Sequence, residues 1–325
     1  MQASLALLAA LALSAPLSAH AGDFSATLDA KWDFADPAVS EARFRAERAQ
    51  WPGDTREALE SETQIARTQG LRRRFAEAHA TLDAVAPALP SAAPRVQVRY
   101  LLERGRTFNS SGDKARAVAL FHEAAARSAT DATEGAAFYH VDALHMLGIA
   151  TPPAEQLRWN LEALAAAEAA TDPRARGWRG SLLHNLGWTW FDRGDPQRAI
   201  GYWQQALAVR EASGDAARIR VARWTLARGY RAAGRLDEAE AIQRALVVEL
   251  DRAGTPDGFV YEELAEIALA RGDANAAQPW AAKAHALLKD DAGLRANEAA
   301  RLARLEDIAA GGSARGPAAA TAGAR

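Results

Sequence analysis

The chain has 325 residues and no cysteine. That excludes disulfides, thiol catalysis, lipid anchoring through a thiol and thiolate metal sites together. It is comfortable in an oxidising compartment without requiring one. Lysine is almost absent: Lys31, Lys114, Lys283 and Lys289 stand among 39 basic residues, and the arginines are spread over the whole chain. Net charge is −2, so no basic excess points to nucleic acid and no acidic run makes a solvated tail. The sequence has no phosphate-binding glycine loop, no H-E-x-x-H and no G-x-S-x-G. His140 and His145 are five apart, about 140° round a helix, and do not converge on a metal. Asp142 could share a face with His145, but two ligands are not a site. Paired carboxylates at a spacing recognisable for sugar chemistry are missing too. We therefore expect no cofactor, no metal and no catalytic residue.

What is present begins at the N-terminus. Leu5 to Leu17 is apolar, interrupted by Ser14 and Pro16. At roughly 13 residues it is too short for a bilayer, which needs about 20. It ends in Ala19-His20-Ala21, a small-x-small pattern, followed by Gly22-Asp23. Residues 1–21 read as a secretory signal peptide, which implies a periplasmic or secreted protein with no integral membrane segment after cleavage. No Lys or Arg precedes the apolar run. The alternative is a mis-assigned start codon on a cytoplasmic protein.

The rest of the chain repeats itself. Leu183-x-x-Leu186-Gly187-x-x-Trp190 is followed by Gly194-Asp195, then Ala199-x-x-x-Trp203 and Ala206. The same spacing occurs in Leu101-x-x-Arg104-Gly105-x-x-Phe108, Gly112-Asp113, Ala117-x-x-x-Phe121 and Ala124. It returns around Leu226, Ala227, Tyr230, Gly234 and Ala239, and around Leu264, Ala265, Gly272-Asp273 and Ala277. The i, i+3, i+4, i+7 spacing stacks these residues on one helix face. The small residue lets a second helix approach. The Gly ends the first helix in the left-handed conformation, and the Asp caps the second. The repeat core is then Gly105, Phe108, Ala117, Phe121, Leu186, Gly187, Trp190, Ala199, Trp203, Tyr230, Ala239, Leu264 and Ala277.

This pattern resembles the tetratricopeptide repeat (TPR) family. The usual Trp slot holds Leu or Arg, the closing Pro is missing, and Gln243 stands where an aromatic is usual. Two degenerate copies, Glu62 to Val85 and Phe138 to Ala167, complete the series. The small-residue positions fall at 66, 105, 144, 187, 227 and 265, a period near 40 against the usual ~34. That period is similar to the long-helix TPRs of bacterial regulators and kinesin-light-chain-like proteins. The resemblance implies an all-α solenoid of about six helix hairpins with capping helices. Its expected parts are an N-terminal extension and capping helix over 22–56, the superhelix over 57–290, and a C-terminal capping helix over 291–310. The tail 311–325, rich in Gly and Ala without apolar periodicity, is expected to be disordered.

The resemblance also implies binding of a protein or peptide partner through the concave groove, without enzymatic activity. The alternative is a ligand- or peptide-sensing regulatory module without its own output domain. Trp188 lies two residues before Trp190, about 200° round the helix, so it is expected on the groove side. The same phase places Arg99, Arg106, His184, Trp224, Arg228, Arg231, Glu262 and Glu266 there. Large aromatic and arginine side chains are the usual anchors of binding faces. The competing reading is packing between successive first helices. Capture of a C-terminal carboxylate is not expected, because Val221 and Thr225 stand where cations would be needed.

Overall fold

The computed structural model describes residues 24–133 and 135–312. The expected signal peptide and nearly all of the expected tail, from residue 313 on, lie outside the described residues. Among the described residues every helix and turn belongs to an all-α, α-solenoid architecture. They divide into two compact units, 24–182 and 183–312.

The first unit holds α1 (Phe24–Asp29), α2 (Pro37–Arg48), α3 (Arg56–Leu71), α4 (Phe75–Val85), a 3-10 turn (Ala86–Ser91), α5 (Pro94–Ser111), α6 (Lys114–Ala129), α7 (Ala136–Ala150), α8 (Pro153–Ala169) and α9 (Pro173–Arg176). Helix α10 (Arg179–Asp192) begins here and continues into the second unit. There follow α11 (Pro196–Ser213), α12 (Ala216–Ala232), α13 (Leu236–Ala253), α14 (Gly258–Ala270), α15 (Ala274–Leu288), α16 (Ala292–Asn297) and α17 (Ala299–Ala309). The C-terminal cap is thus two short helices with a break at Glu298, not one continuous helix.

Local chemistry sets these boundaries. Pro37, Pro94, Pro153 and Pro196 open helices where a missing amide costs nothing. Asp113, Asp195 and Asp273 accept from the amides of Arg116, Arg198 and Ala276. The preceding residue is left-handed: Gly112 at φ 101°, Gly194 at 77° and Gly272 at 80°. The turn between α3 and α4 departs from this rule, with Arg73 at φ 60° where Gly112, Gly194, Gly234 and Gly272 stand in later hairpins.

Two of the hairpins close on a glycine-to-aromatic pairing 16 residues apart. A Cβ added at Gly105 would lie 2.5 Å from the Phe121 ring, and one at Gly187 would lie 2.1 Å from Trp203 Nε1. Trp203 also presses on the next first helix, where a Cβ at Gly229 would meet its ring at 2.8 Å. Its indole N–H donates to the His184 carbonyl at 3.1 Å. Position 144, counted above in the small series, instead holds a buried Leu144. Its counterpart 16 on, Asn160, is smaller than Phe121 or Trp203 and also buried. The close approach moves one turn to Gly148, where a Cβ would lie 2.7 Å from Asn160 Oδ1. Volume is exchanged between the two helices, and the hairpin survives without the small residue.

A second correction concerns the Trp pair of α10. Trp188, expected to face away from the core, is 5% exposed and meets Trp203 edge-on at 5.2 Å. Trp190, expected in the core, packs at its edge: it is half-buried against the cluster around Trp203, with Arg198 stacked 4.2 Å from its ring. The inner side of α10 is thus partly closed by packing, with Trp188 covered and Phe191 half-buried.

Candidate functional site

In each hairpin the first helix turns one side towards its own second helix. The opposite side, here the inner face, is where the sequence places the candidate binding residues. The structure shows what that face consists of in each unit.

In the first unit it is a buried network of charge. Arg99 of α5 is 2% exposed and donates to Asp29 of α1 at 2.6 Å. It also donates to the Tyr139 hydroxyl of α7 and lies 3.8 Å from Glu60 of α3. Arg174 of α9 pairs with the other Asp29 oxygen. Arg106 bridges Glu103, at 2.7 Å, and Asp142 of α7. Arg67 of α3 lies 3.6 Å from Glu103. Between these groups is a pocket of about 10 Å³, roughly the room one water takes. Burial opposes the Asp29 carboxylate, but Arg99 and Arg174 outweigh it and hold its pKa below the usual value. Burial likewise opposes the Arg99 charge, and Asp29, Tyr139 and Glu60 overcome it, raising that pKa well above normal. His145 lies beside this network against Trp178, and burial pushes its pKa down to about 4.

Arg99 and Arg106 are therefore on the predicted face, but both are engaged within the chain. Asp29, Ser25 and Trp32 join that face and were not anticipated. They come from a segment outside the repeats, and repeat spacing carries no information about where it docks.

In the second unit the face is aromatic and cationic. His184, Trp188 and Phe191 of α10 meet Trp224, Arg228 and Arg231 of α12. The Arg228 guanidinium lies 5.6 Å from the Trp224 ring, 5.8 Å from Trp188 and 6.0 Å from Phe191. Burial lowers its pKa against the opposing pull of Glu263, 4.0 Å away on α14. Arg231 binds both oxygens of Glu263. The Trp188 indole donates to His184 Nε2 at 3.0 Å, which requires the neutral imidazole protonated at Nδ1. Burial, with Arg210 nearby, pushes the His184 pKa down to about 4, in keeping with that tautomer.

Further along, Glu262 and Glu266 of α14 are paired with Arg301 and Arg304 of α17. The structure brings His184, Trp188, Trp224, Arg228 and Arg231 together. It separates Glu262 and Glu266, which instead join α14 to the terminal helix. Half-buried Phe191, Trp224 and Arg231 leave part of the cluster open to solvent, whereas Trp188 and Arg228 are covered.

Among the described residues no group of three or more His, Asp or Glu side chains is placed to hold a metal ion. Among them also, no helix is long and apolar enough to cross a membrane.

The decisive likeness falls on the hairpin of α10 and α11. Residues 180–213 match the tetratricopeptide repeat family model. This stretch is a tetratricopeptide repeat. The remaining hairpins share its fold with solved TPR and solenoid proteins. RapI, in its apo form, superposes with a TM-score of 0.66 at 9% identity, over 88% of this chain and 79% of that one. PilW, a type IV pilus biogenesis factor, gives 0.54 at 19% identity over 74% and 99%. A tetratricopeptide repeat protein from Parabacteroides merdae gives 0.50 at 14% identity over 89% and 100%. At such identities the likeness is one of fold. No curated protein matches the chain.

Proposed function

We propose that this protein is an exported, non-enzymatic scaffold that binds a protein or peptide partner on the inner face of its second unit. The observation that carries the reading is the Arg228 guanidinium, packed near three aromatic rings and steadied by Glu263. It forms the floor of a rigid patch whose rim, Phe191, Trp224 and Arg231, is still partly open. Aromatic and arginine groups held in place in this way contribute binding energy at little entropic cost. The TPR match over α10 and α11 supports the same assignment, because TPR folds generally serve protein–protein contacts.

The test is a crosslinking pull-down from the native host with the wild type and a Phe191→Ser, Arg231→Ala variant of matched thermal stability. These two positions spare the covered Trp188 and Arg228. Because Arg231 also partners buried Glu263 and Phe191 packs on Trp203, the comparison is made only at matched stability. A partner retained by the wild type and lost by the variant supports the inner face. Equal recovery with both would move the binding surface elsewhere.

A further inference from the structure

The first unit carries a second binding feature of a different kind. Residues 24–34 do not belong to any hairpin, yet they lie on the inner face of α3, α5 and α7, the side where a solenoid would receive a ligand. Each anchor of the segment is met by a side chain of the repeats. Ser25 donates to Glu60 and accepts from Arg95 at 2.9 Å. Asp29 lies between Arg99 and Arg174. Trp32 donates to Gln64 at 3.1 Å and stacks flat on Phe34, ring centroids 4.7 Å apart. The Arg67 guanidinium lies 5.3 Å from Trp32 and 5.7 Å from Phe34. Leu28 is fully buried beside Phe44 and Ile65.

The segment has the character of a ligand in other respects. Helix α1 has six residues, far short of the ~12–15 that an isolated helix needs, so its order comes from docking. The segment continues into α2 through exposed Ala35 and Asp36. Helix α2 also holds it from the other side, Ser40 on Asp33, Arg43 on the Lys31 carbonyl and Glu47 on the Lys31 ammonium. Arg95, Arg99 and Arg174 converge on the face beneath it beside buried Glu60, and Asp29 supplies the carboxylate set between Arg99 and Arg174. A face of this composition selects a carboxylate followed three and five residues later by aromatic rings, the spacing of Asp29, Trp32 and Phe34.

We propose that the inner face of α3, α5 and α7 is a recognition site for a short acidic-aromatic peptide segment of a partner protein, and that residues 24–34 are its resident, displaceable occupant. The covalent link raises the local concentration of the resident segment, so it screens the site from weak competitors. A partner enters by presenting the same carboxylate and ring pair. This site lies in the first unit and stands or falls apart from the patch proposed in the second.

The test uses the full chain with a protease recognition sequence inserted between Phe34 and Ala35, folded first and then cut. A fluorescent peptide copying residues 24–34 is the probe, and anisotropy reads its binding. After cutting, the peptide should exchange into the site. The uncut chain should bind it at least tenfold more weakly. Peptides carrying Asp29→Ala, or Trp32→Ala with Phe34→Ala, should each bind the cut chain at least tenfold more weakly. Circular dichroism of the cut chain accompanies the titration. Unfolding on cleavage would make the segment a structural part and overturn the proposal. So would a folded cut chain that never exchanges its segment, or equal binding of the Asp29→Ala peptide. A full-length Asp29→Ala, Trp32→Ala chain gives a second route without cleavage: it should bind the unaltered peptide where the wild type does not.

Discussion

Trp203 shows how much of this molecule rests on single side chains. It occupies the space left by Gly187 in its own hairpin and by Gly229 in the next, and it meets Trp188 edge-on. Trp203→Ala should cost about 3–5 kcal/mol in urea unfolding, the range for emptying a large aromatic site. Gly187→Val brings atoms into the indole and should cost about 1–3 kcal/mol; an unchanged midpoint would contradict the packing described. Asp29→Asn removes the carboxylate from between Arg99 and Arg174. Stranding buried cations in this way costs about 3–5 kcal/mol, read as a lower denaturation midpoint of the first unit. His145 makes stability depend on pH. Its folded pKa of about 4 lies below the ordinary value of 6.5. The unfolded chain takes the proton more readily, so the contribution is complete above pH 6.5 and is lost as pH falls towards 4. A shift of that size is worth about 3 kcal/mol. Between pH 7.5 and pH 5, the wild type should lose more stability than His145→Gln; parallel losses would remove His145 as the cause.

At the scale of the helix, much was legible in the sequence, because hairpin chemistry is local. The Gly-Asp turns and the close approach at Gly105 and Gly187 appear where the spacing puts them. Leu144 breaks the pairing for a physical reason: a fixed template cannot see volume passing from one helix to the other, as it does here from position 160, held by Asn, to Leu144. The inner face was less legible. A helical wheel separates Trp188 from Trp190, but which of them is covered depends on the neighbouring first helix. Arg99 was placed on the right face, but its partner, Asp29, is 70 residues away and outside the repeats. Arg73 offers a test of the turn chemistry. At φ 60° it bears a strain that glycine avoids. Arg73→Gly should therefore raise stability by up to about 1 kcal/mol, seen as a higher melting temperature. A marked fall would mean that the arginine's stacking over Phe75 outweighs the backbone strain.

At the scale of the whole molecule, the sequence specified the architecture and left the partner open. Cross-helix ion pairs account for much of the inner face in each unit: Arg106 with Asp142, Arg231 with Glu263, and Glu262 and Glu266 with Arg301 and Arg304. What these pairs leave open is the aromatic rim around Arg228. Export would add a further property of the whole chain: intact mass of the protein purified from its host should correspond to a start at Gly22, and a mass retaining residues 1–21 would contradict cleavage. The central claim, binding on the inner face of the second unit, is tested most directly by site-specific photocrosslinking in the host. A photoreactive side chain is placed at Arg231, on the inner face, and separately at Val248, exposed on second helix α13. The account predicts a discrete crosslinked partner from position 231 and none from 248. Crosslinking of the same partner from 248 alone would contradict it.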